Sequence, residues 1–284
     1  MPFTESSLGK WCSVHGGLAS VRYISMPSEK DRRELFLSVF SGAFPSLEMV
    51  EAVDGLALDL SHGVVDSFSW WNVVSQHPKD NFEDVYTAGM VGCALSHLRE
   101  VERAVSAAGC TLVLESDMSG IDDGVWDRIV TDLPVLPKGV DAVWLNSFST
   151  RGNVLPSVHP GFENINGPIG GMGAVLYTPQ GARKILELFK RSEVLVSRQI
   201  DGTFGAMAAR YPDELVMLRS RDNVVTFPAS AFFDSSIQSS EIKPFLPSTN
   251  WFYLIFLVAL LGLITMTLVL ARRLRKENKK SRRE

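Results

Sequence analysis

Leu112-Val113-Leu114-Glu115-Ser116-Asp117 is the stretch on which the reading of this chain turns. The apolar run over residues 111–115 predicts a strand buried on both faces. It runs straight into two carboxylates spaced i and i+2. Extended backbone aims such a pair to one side of the chain, which makes a hard oxygen clamp suited to Mn²⁺ or Mg²⁺. In alternating α/β sheets ligands bind beyond the carboxyl ends of the strands. Glu115 and Asp117 are therefore candidate metal ligands, although an acidic residue after a strand also serves as an ordinary helix cap.

Outward from that point, strand and helix patterns alternate. Upstream the periodicities predict a strand over 21–26, a helix over 31–44, a strand over 47–53 and an apolar-striped helix over 91–108 that stops at Gly109. Downstream, strands are expected over 141–147, 173–177 and 215–218. Thr178-Pro179 is a cap followed by a proline in the first turn, so it opens a helix reaching residue 189. Asp122 and Asp123 are expected to cap a helix over 124–131. The sum is an α/β sandwich. Residues 55–86 interrupt it with an irregular stretch holding Trp70 and Trp71, which could stack on an acceptor sugar or peptide or fold back on themselves.

At 284 residues and 45% hydrophobic content the chain supports one good-sized core. Its net charge of -4 hides an asymmetry. Residues 272–284 carry eight Arg or Lys against two Glu, a net +6, so the rest sums to about -10. An acidic body excludes nucleic acid as its partner, because phosphate binding needs clustered cations. Cys12, Cys93 and Cys110 are odd in number and widely spaced, and they indicate neither a disulfide framework nor a zinc site. The N-terminus lacks the apolar core of a signal peptide.

Residues 251–271 (WFYLIFLVALLGLITMTLVLA) are uncharged and as a helix would span about 31 Å, one bilayer core. Aromatic rings stand at one end and Arg272, Arg273 and Arg275 at the other, as interfaces favour. A single-pass membrane protein is expected. Its sidedness stays open, since a late-emerging helix argues for a cytosolic domain and the positive-inside rule for the reverse. The domains read as an extension at 1–19, a catalytic domain at 20–240, a linker at 241–250, the membrane helix at 251–271 and a basic tail at 272–284.

The residues around the acidic pair resemble the family-25 glycosyltransferases, the group of lipooligosaccharide and procollagen galactosyltransferases. Asp31-Arg32-Arg33-Glu34 matches the end of that family's INLDRRPDRRE-like opening, Ala52-Val53-Asp54-Gly55 its AVDG element, and Gly89-Met90-Val91-Gly92-Cys93-Ala94-Leu95-Ser96-His97 its GEIGCALSH block. Leu114-Glu115-Ser116-Asp117-Met118 matches LEDDV. The four stand in family order. Looser matches follow at Gly173-Ala174-Val175-Leu176-Tyr177, Gly181 to Leu186, Gln199-Ile200-Asp201 and Phe233-Asp234-Ser235-Ser236-Ile237. Two departures are Met90 for the usual Glu and Ser116 for the usual Asp.

The resemblance implies a GT-A-like nucleotide-sugar-binding sandwich and an inverting, metal-dependent hexosyltransferase, moving galactose or glucose from a UDP-sugar to a hydroxyl of a glycan, lipid-linked sugar or protein. The candidate donor contacts are Arg32, Asp54, Ser96, His97 and Glu115; the candidate metal ligands are Asp117 and Glu115, with Mn²⁺ or Mg²⁺ as cofactor; Asp201 is the candidate base, and Trp70 and Trp71 are the candidate acceptor surface. Arg32 and Arg33 suit phosphate through their guanidinium forks, or pair on the surface. Ser96 and His97 sit beside a helical apolar stripe, where packed histidines are common. Asp201 equally fits an N-terminal helix charge. Gly167-Pro168-Ile169-Gly170-Gly171-Met172-Gly173 lacks the dinucleotide spacing and precedes a strand, so its glycines are expected to admit close backbone approach. The alternative function is a catalytically silent, membrane-tethered sugar binder or scaffold.

Overall fold

The computed structural model describes residues 1–58, 88–147, 154–191 and 199–227. Its elements run α1 (Glu5–Trp11), β1 (Leu18–Ser25), α2 (Lys30–Phe40), β2 (Glu48–Glu51), α3 (Ala88–Val105) and β3 (Cys110–Glu115). There follow β4 (Gly120–Ile121), α4 (Asp123–Asp132), β5 (Ala142–Trp144), β6 (Val154–Pro156), β7 (Phe162–Ile165) and β8 (Ala174–Tyr177). The last are α5 (Pro179–Arg191), α6 (Ile200–Arg210), β9 (Met217–Ser220) and β10 (Val225–Thr226). Eight strands form one mixed sheet in the order β2-β1-β3-β8-β5-β9-β7-β6, and β10 pairs with β4 in a second, two-stranded sheet.

Strand alternation explains the three layers. Val113 and Val175 face one side of the sheet, with α3, α5 and α6, while Leu112, Leu114 and Leu176 face the other, with α1, α2 and α4. The expected α/β sandwich is therefore present. β2, β1 and β3 are parallel neighbours. Their carboxyl ends, Glu51, Ser25 and Glu115, open on one edge of the sheet. Beyond β3 the order turns antiparallel through β8, so this edge combines three parallel strand ends with a change of direction.

Several boundaries have local causes. Asp122 Oδ1 accepts from the Val125 amide at 2.9 Å and starts α4, the cap expected of it. Thr178 Oγ1 accepts from the Gly181 amide at 3.0 Å at the head of α5. Residues 1–19, expected as an extension ahead of the domain, are packed into it: Phe3, Leu8 and Trp11 are at most 1% exposed and join the core beneath α4. The indole of Trp11 donates to the Leu133 carbonyl at 2.8 Å. A capping box of Thr4 and Ser7 starts α1.

All the described residues fall within one compact unit. The apolar run at 251–271, the linker and basic tail, and the segment holding Trp70 and Trp71 lie outside the described residues. Among those described, no helix is long and apolar enough to cross a membrane.

Where α3 meets the turn after β2, two glycines permit the contact. A Cβ on Gly92 would stand 2.3 Å from the Val53 carbonyl oxygen and 2.8 Å from the Gly55 nitrogen, both backbone atoms that cannot swing aside. Gly92→Ala is expected to push α3 off this turn at about 1–3 kcal/mol, lowering the thermal midpoint by roughly 3–10 °C. Calorimetry of the variant against the parent checks this; an unchanged midpoint would mean that the turn yields freely.

Candidate functional site

Four segments supply the parallel edge. After β1 comes the first turn of α2 with Arg32. After β2 come Ala52-Val53-Asp54-Gly55, and after β3 the turn holding Ser116 and Asp117. From across the edge comes the amino end of α6 with Asp201. The sheet's register, not sequence proximity, gathers them.

The acidic pair is arranged differently from the expected extended i, i+2 clamp. β3 ends at Glu115, and the Met118 amide donates to the Glu115 carbonyl at 3.1 Å, closing a turn over 115–118. Asp117 therefore sits on a turn rather than on a strand. The two carboxylates still feel each other. Burial, and next the negative charge of Glu115, push Asp117 up to about 8, against the Arg32 guanidinium, which pulls it down. Asp117 Oδ1 is buried and has no hydrogen-bond partner. Arg32 thus lies within electrostatic reach of Asp117 while its Nη1 donates to Glu29 at 3.0 Å. Arg33 is turned away, donating to the Met26 and Pro27 carbonyls at 2.8 and 2.7 Å.

Glu115 has closer company on α3. His97 Nε2 lies 2.7 Å from Glu115 Oε1, and the Cys93 thiol donates to the same oxygen at 3.8 Å. One ligand atom from each of Cys93, His97 and Glu115 falls within 4.8 Å of the others. Asp117 is not in that group. The linear sequence shows no Cys/His ligand pattern; the fold brings these three residues together. The overlooked signal was Cys93 and His97 at i, i+4 inside the striped helix, a spacing that puts both on one face; only β3 brings the third member. Burial, then the charges of Glu115, Asp201 and Asp117, push the Cys93 thiol well up.

Asp201 is buried at the start of α6. Its Oδ2 accepts from the Gly171 amide at 2.9 Å and its Oδ1 from the Gly202 amide at 2.7 Å. Burial pushes it up to about 6; these two N–H groups and His97 oppose the rise, and Glu115 adds to it. Gly171 has φ +86°, a left-handed conformation that lets its N–H turn toward the carboxylate. The glycine-rich loop thus approaches a neighbouring element, as expected, and its target is Asp201.

Two donor-contact candidates have local duties. Ser96 Oγ donates to the Gly92 carbonyl at 2.7 Å and accepts from the Val53 amide at 2.8 Å, tying the turn after β2 to α3. Asp54 is exposed, and its Oδ1 accepts from Leu56 N at 2.9 Å, capping a single 3₁₀ turn. Both shape the edge through backbone. Ser116 is 5% exposed, and its amide donates to the Ile24 carbonyl at 3.1 Å, joining the turn to β1.

A divalent cation fits part of this arrangement. Asp117 Oδ1, buried, unpartnered and repelled by Glu115, is an oxygen that a cation would satisfy. The hard donors Asp117 and Glu115 suit Mn²⁺ or Mg²⁺. The sulfur and imidazole beside Glu115 are softer.

No family model matches the chain, and no curated protein matches it. Among solved structures it is similar to mouse Xyloside xylosyltransferase 1 in its apo form, with a TM-score of 0.35 and 11% identity over 75% of this chain and 76% of that one, a likeness that assigns no residue and no reaction here.

Proposed function

We propose that this chain is a nucleotide-sugar-dependent glycosyltransferase that moves a hexose, galactose or glucose, from a UDP-sugar to a hydroxyl on a glycan, lipid-linked sugar or protein. The observation that carries the reading is the parallel sheet edge at which the Arg32 guanidinium and the carboxylates of Glu115, Asp117 and Asp201 interact, with Asp117 Oδ1 buried and unpartnered. Transfer from a nucleotide sugar releases a diphosphate, whose growing charge must be met by fixed positive groups. Arg32 offers a planar fork for phosphate oxygens. Asp117 and Glu115 would hold Mn²⁺ or Mg²⁺, which when bound supplies further charge neutralisation to the leaving group. Asp201 is the group that takes the acceptor proton in a single inverting displacement. The motif resemblance over residues 20–240 supports the UDP-hexose donor, and the uncharged run at 251–271 supports a single-pass tether.

A second reading is a silent, tethered sugar binder. It is favoured by Ser116 between the two carboxylates and by the engagement of Glu115 with His97. Donor hydrolysis separates the two. The full chain in detergent, given UDP-galactose, UDP-glucose and other UDP-sugars with Mn²⁺, is expected to release UDP above a no-protein control. Absence of release with every donor, alongside retained donor binding, would select the silent reading.

A further inference from the structure

We propose that Cys93, His97 and Glu115 form a three-ligand site for a borderline-soft divalent transition ion of the Zn²⁺ class. The inference deepens the transferase reading, naming an ion for the Glu115 end of the same edge, and rests on that reading for its role there. Its geometry stands apart from it. Cys93 and His97 project from one face of α3, a single turn apart, and the end of β3 brings Glu115 opposite them, so that one ligand atom of each lies within 4.8 Å of the rest. Tetrahedral zinc, with bonds of about 2.3 Å to sulfur and 2.0–2.2 Å to nitrogen and oxygen, holds its ligand atoms about 3.3–3.8 Å apart. The separation of 3.8 Å between Cys93 Sγ and Glu115 Oε1 already meets this. The contact of 2.7 Å between His97 Nε2 and Glu115 Oε1 has to open by less than about 1 Å.

His97 is 1% exposed, so an ion at its Nε2 would be met by an imidazole already withdrawn from water. The donor chemistry then selects the ion. Thiolate and imidazole disfavour Mg²⁺ and Ca²⁺ and suit Zn²⁺ or Co²⁺. The carboxylates of Asp117 and Asp201, whose charges reach the Cys93 sulfur, favour any dication. On binding, the Cys93 thiol releases its proton to solvent and its sulfur donates an electron pair to the ion. Three protein ligands leave a tetrahedral ion one position for water or a phosphate oxygen, as in zinc sites that work on substrates.

Co²⁺ is the probe. The full chain, stripped with chelator and titrated with Co²⁺ without any donor, is expected to develop tetrahedral d–d bands and a near-ultraviolet thiolate-to-cobalt band that Zn²⁺ abolishes. Cys93→Ser is expected to lose the charge-transfer band and weaken Co²⁺ binding at least roughly tenfold. Cys12 and Cys110 pack on the opposite face of the sheet and provide the internal control. X-ray absorption on the wild-type Co²⁺ form gives a readout that needs no variant, with one sulfur and one imidazole expected in the coordination shell. A shell of oxygen and nitrogen alone, or a band that survives Cys93→Ser, would overturn the site. UDP release is scored separately on the wild-type chain. Turnover with no cobalt–thiolate band refutes the metal site and leaves the transferase standing; the band with no UDP release from any donor does the opposite.

Discussion

Asp117→Ala is expected to lower UDP-sugar turnover by about three to five orders of magnitude while the chain stays folded. Loss of one charged metal ligand, or of its supporting shell, costs at least 10–100-fold in metal affinity or activity, and loss of electrostatic support for a leaving diphosphate costs a further 10²–10³. Folding is spared because the deleted carboxylate gives the metal-free chain little. Its Oδ1 has no hydrogen-bond partner, and Glu115 repels its charge. The backbone bond from Met118 to Glu115 that shapes the turn needs no side chain at position 117. Steady-state rates over a Mn²⁺ titration, with circular dichroism and thermal unfolding beside them, measure both halves. Asp117→Asn is expected to behave alike, because a neutral amide is a poor cation ligand. A folded Asp117→Ala chain with unchanged rate and unchanged Mn²⁺ dependence would remove the physical basis of the donor centre.

Asp201→Asn is expected to reduce turnover by about 10²–10⁴, the usual worth of a positioned base. The amide oxygen can still accept from the Gly171 N–H, but the amide nitrogen then replaces the oxygen that accepts from Gly202, so thermal unfolding measured alongside separates that lost bond from the loss of chemistry. The pH profile tests the assignment independently. Burial raises Asp201 to about 6 from an ordinary 3.8. A base must be ionised to act, so the wild-type rate climbs as pH rises through about 6, and this limb disappears in Asp201→Asn. Stability moves the other way. A carboxyl whose folded pKa exceeds its unfolded one stabilises the fold fully below about pH 4 and loses that contribution as pH rises to about 6. The Asn variant therefore has a flatter stability curve over that window. If Asp201→Asn turns over within about threefold of wild type, the acceptor proton is taken elsewhere.

The layers follow from local sequence pattern. A run such as Leu112-Val113-Leu114, apolar on both sides, has one low-energy use in a chain of this size, a strand covered on both faces. The stripe of α3, the Thr178-Pro179 start of α5 and the Asp122 cap of α4 are likewise local facts, fixed by side-chain periodicity and by amides that need an acceptor. Spacing also singled out Glu115 and Asp117. It misjudged their geometry, because a turn over 115–118 and an extended strand place position 117 differently and the residues permit both. Cys93 carries no such local signal, because two ligands one helical turn apart acquire a meaning only when a third arrives from elsewhere. That third, Glu115, comes from a strand placed beside α3 by packing. The place of Ser96 and Asp54 in motifs is a property of sequence, whereas their hydrogen bonds are set by backbone brought near them in the fold. Burial had the same origin: the displaced pKa values of Asp117 and Asp201 depend on how much water the surrounding layers exclude and on which charges share the edge, quantities that belong to the assembled sheet and to no segment of it.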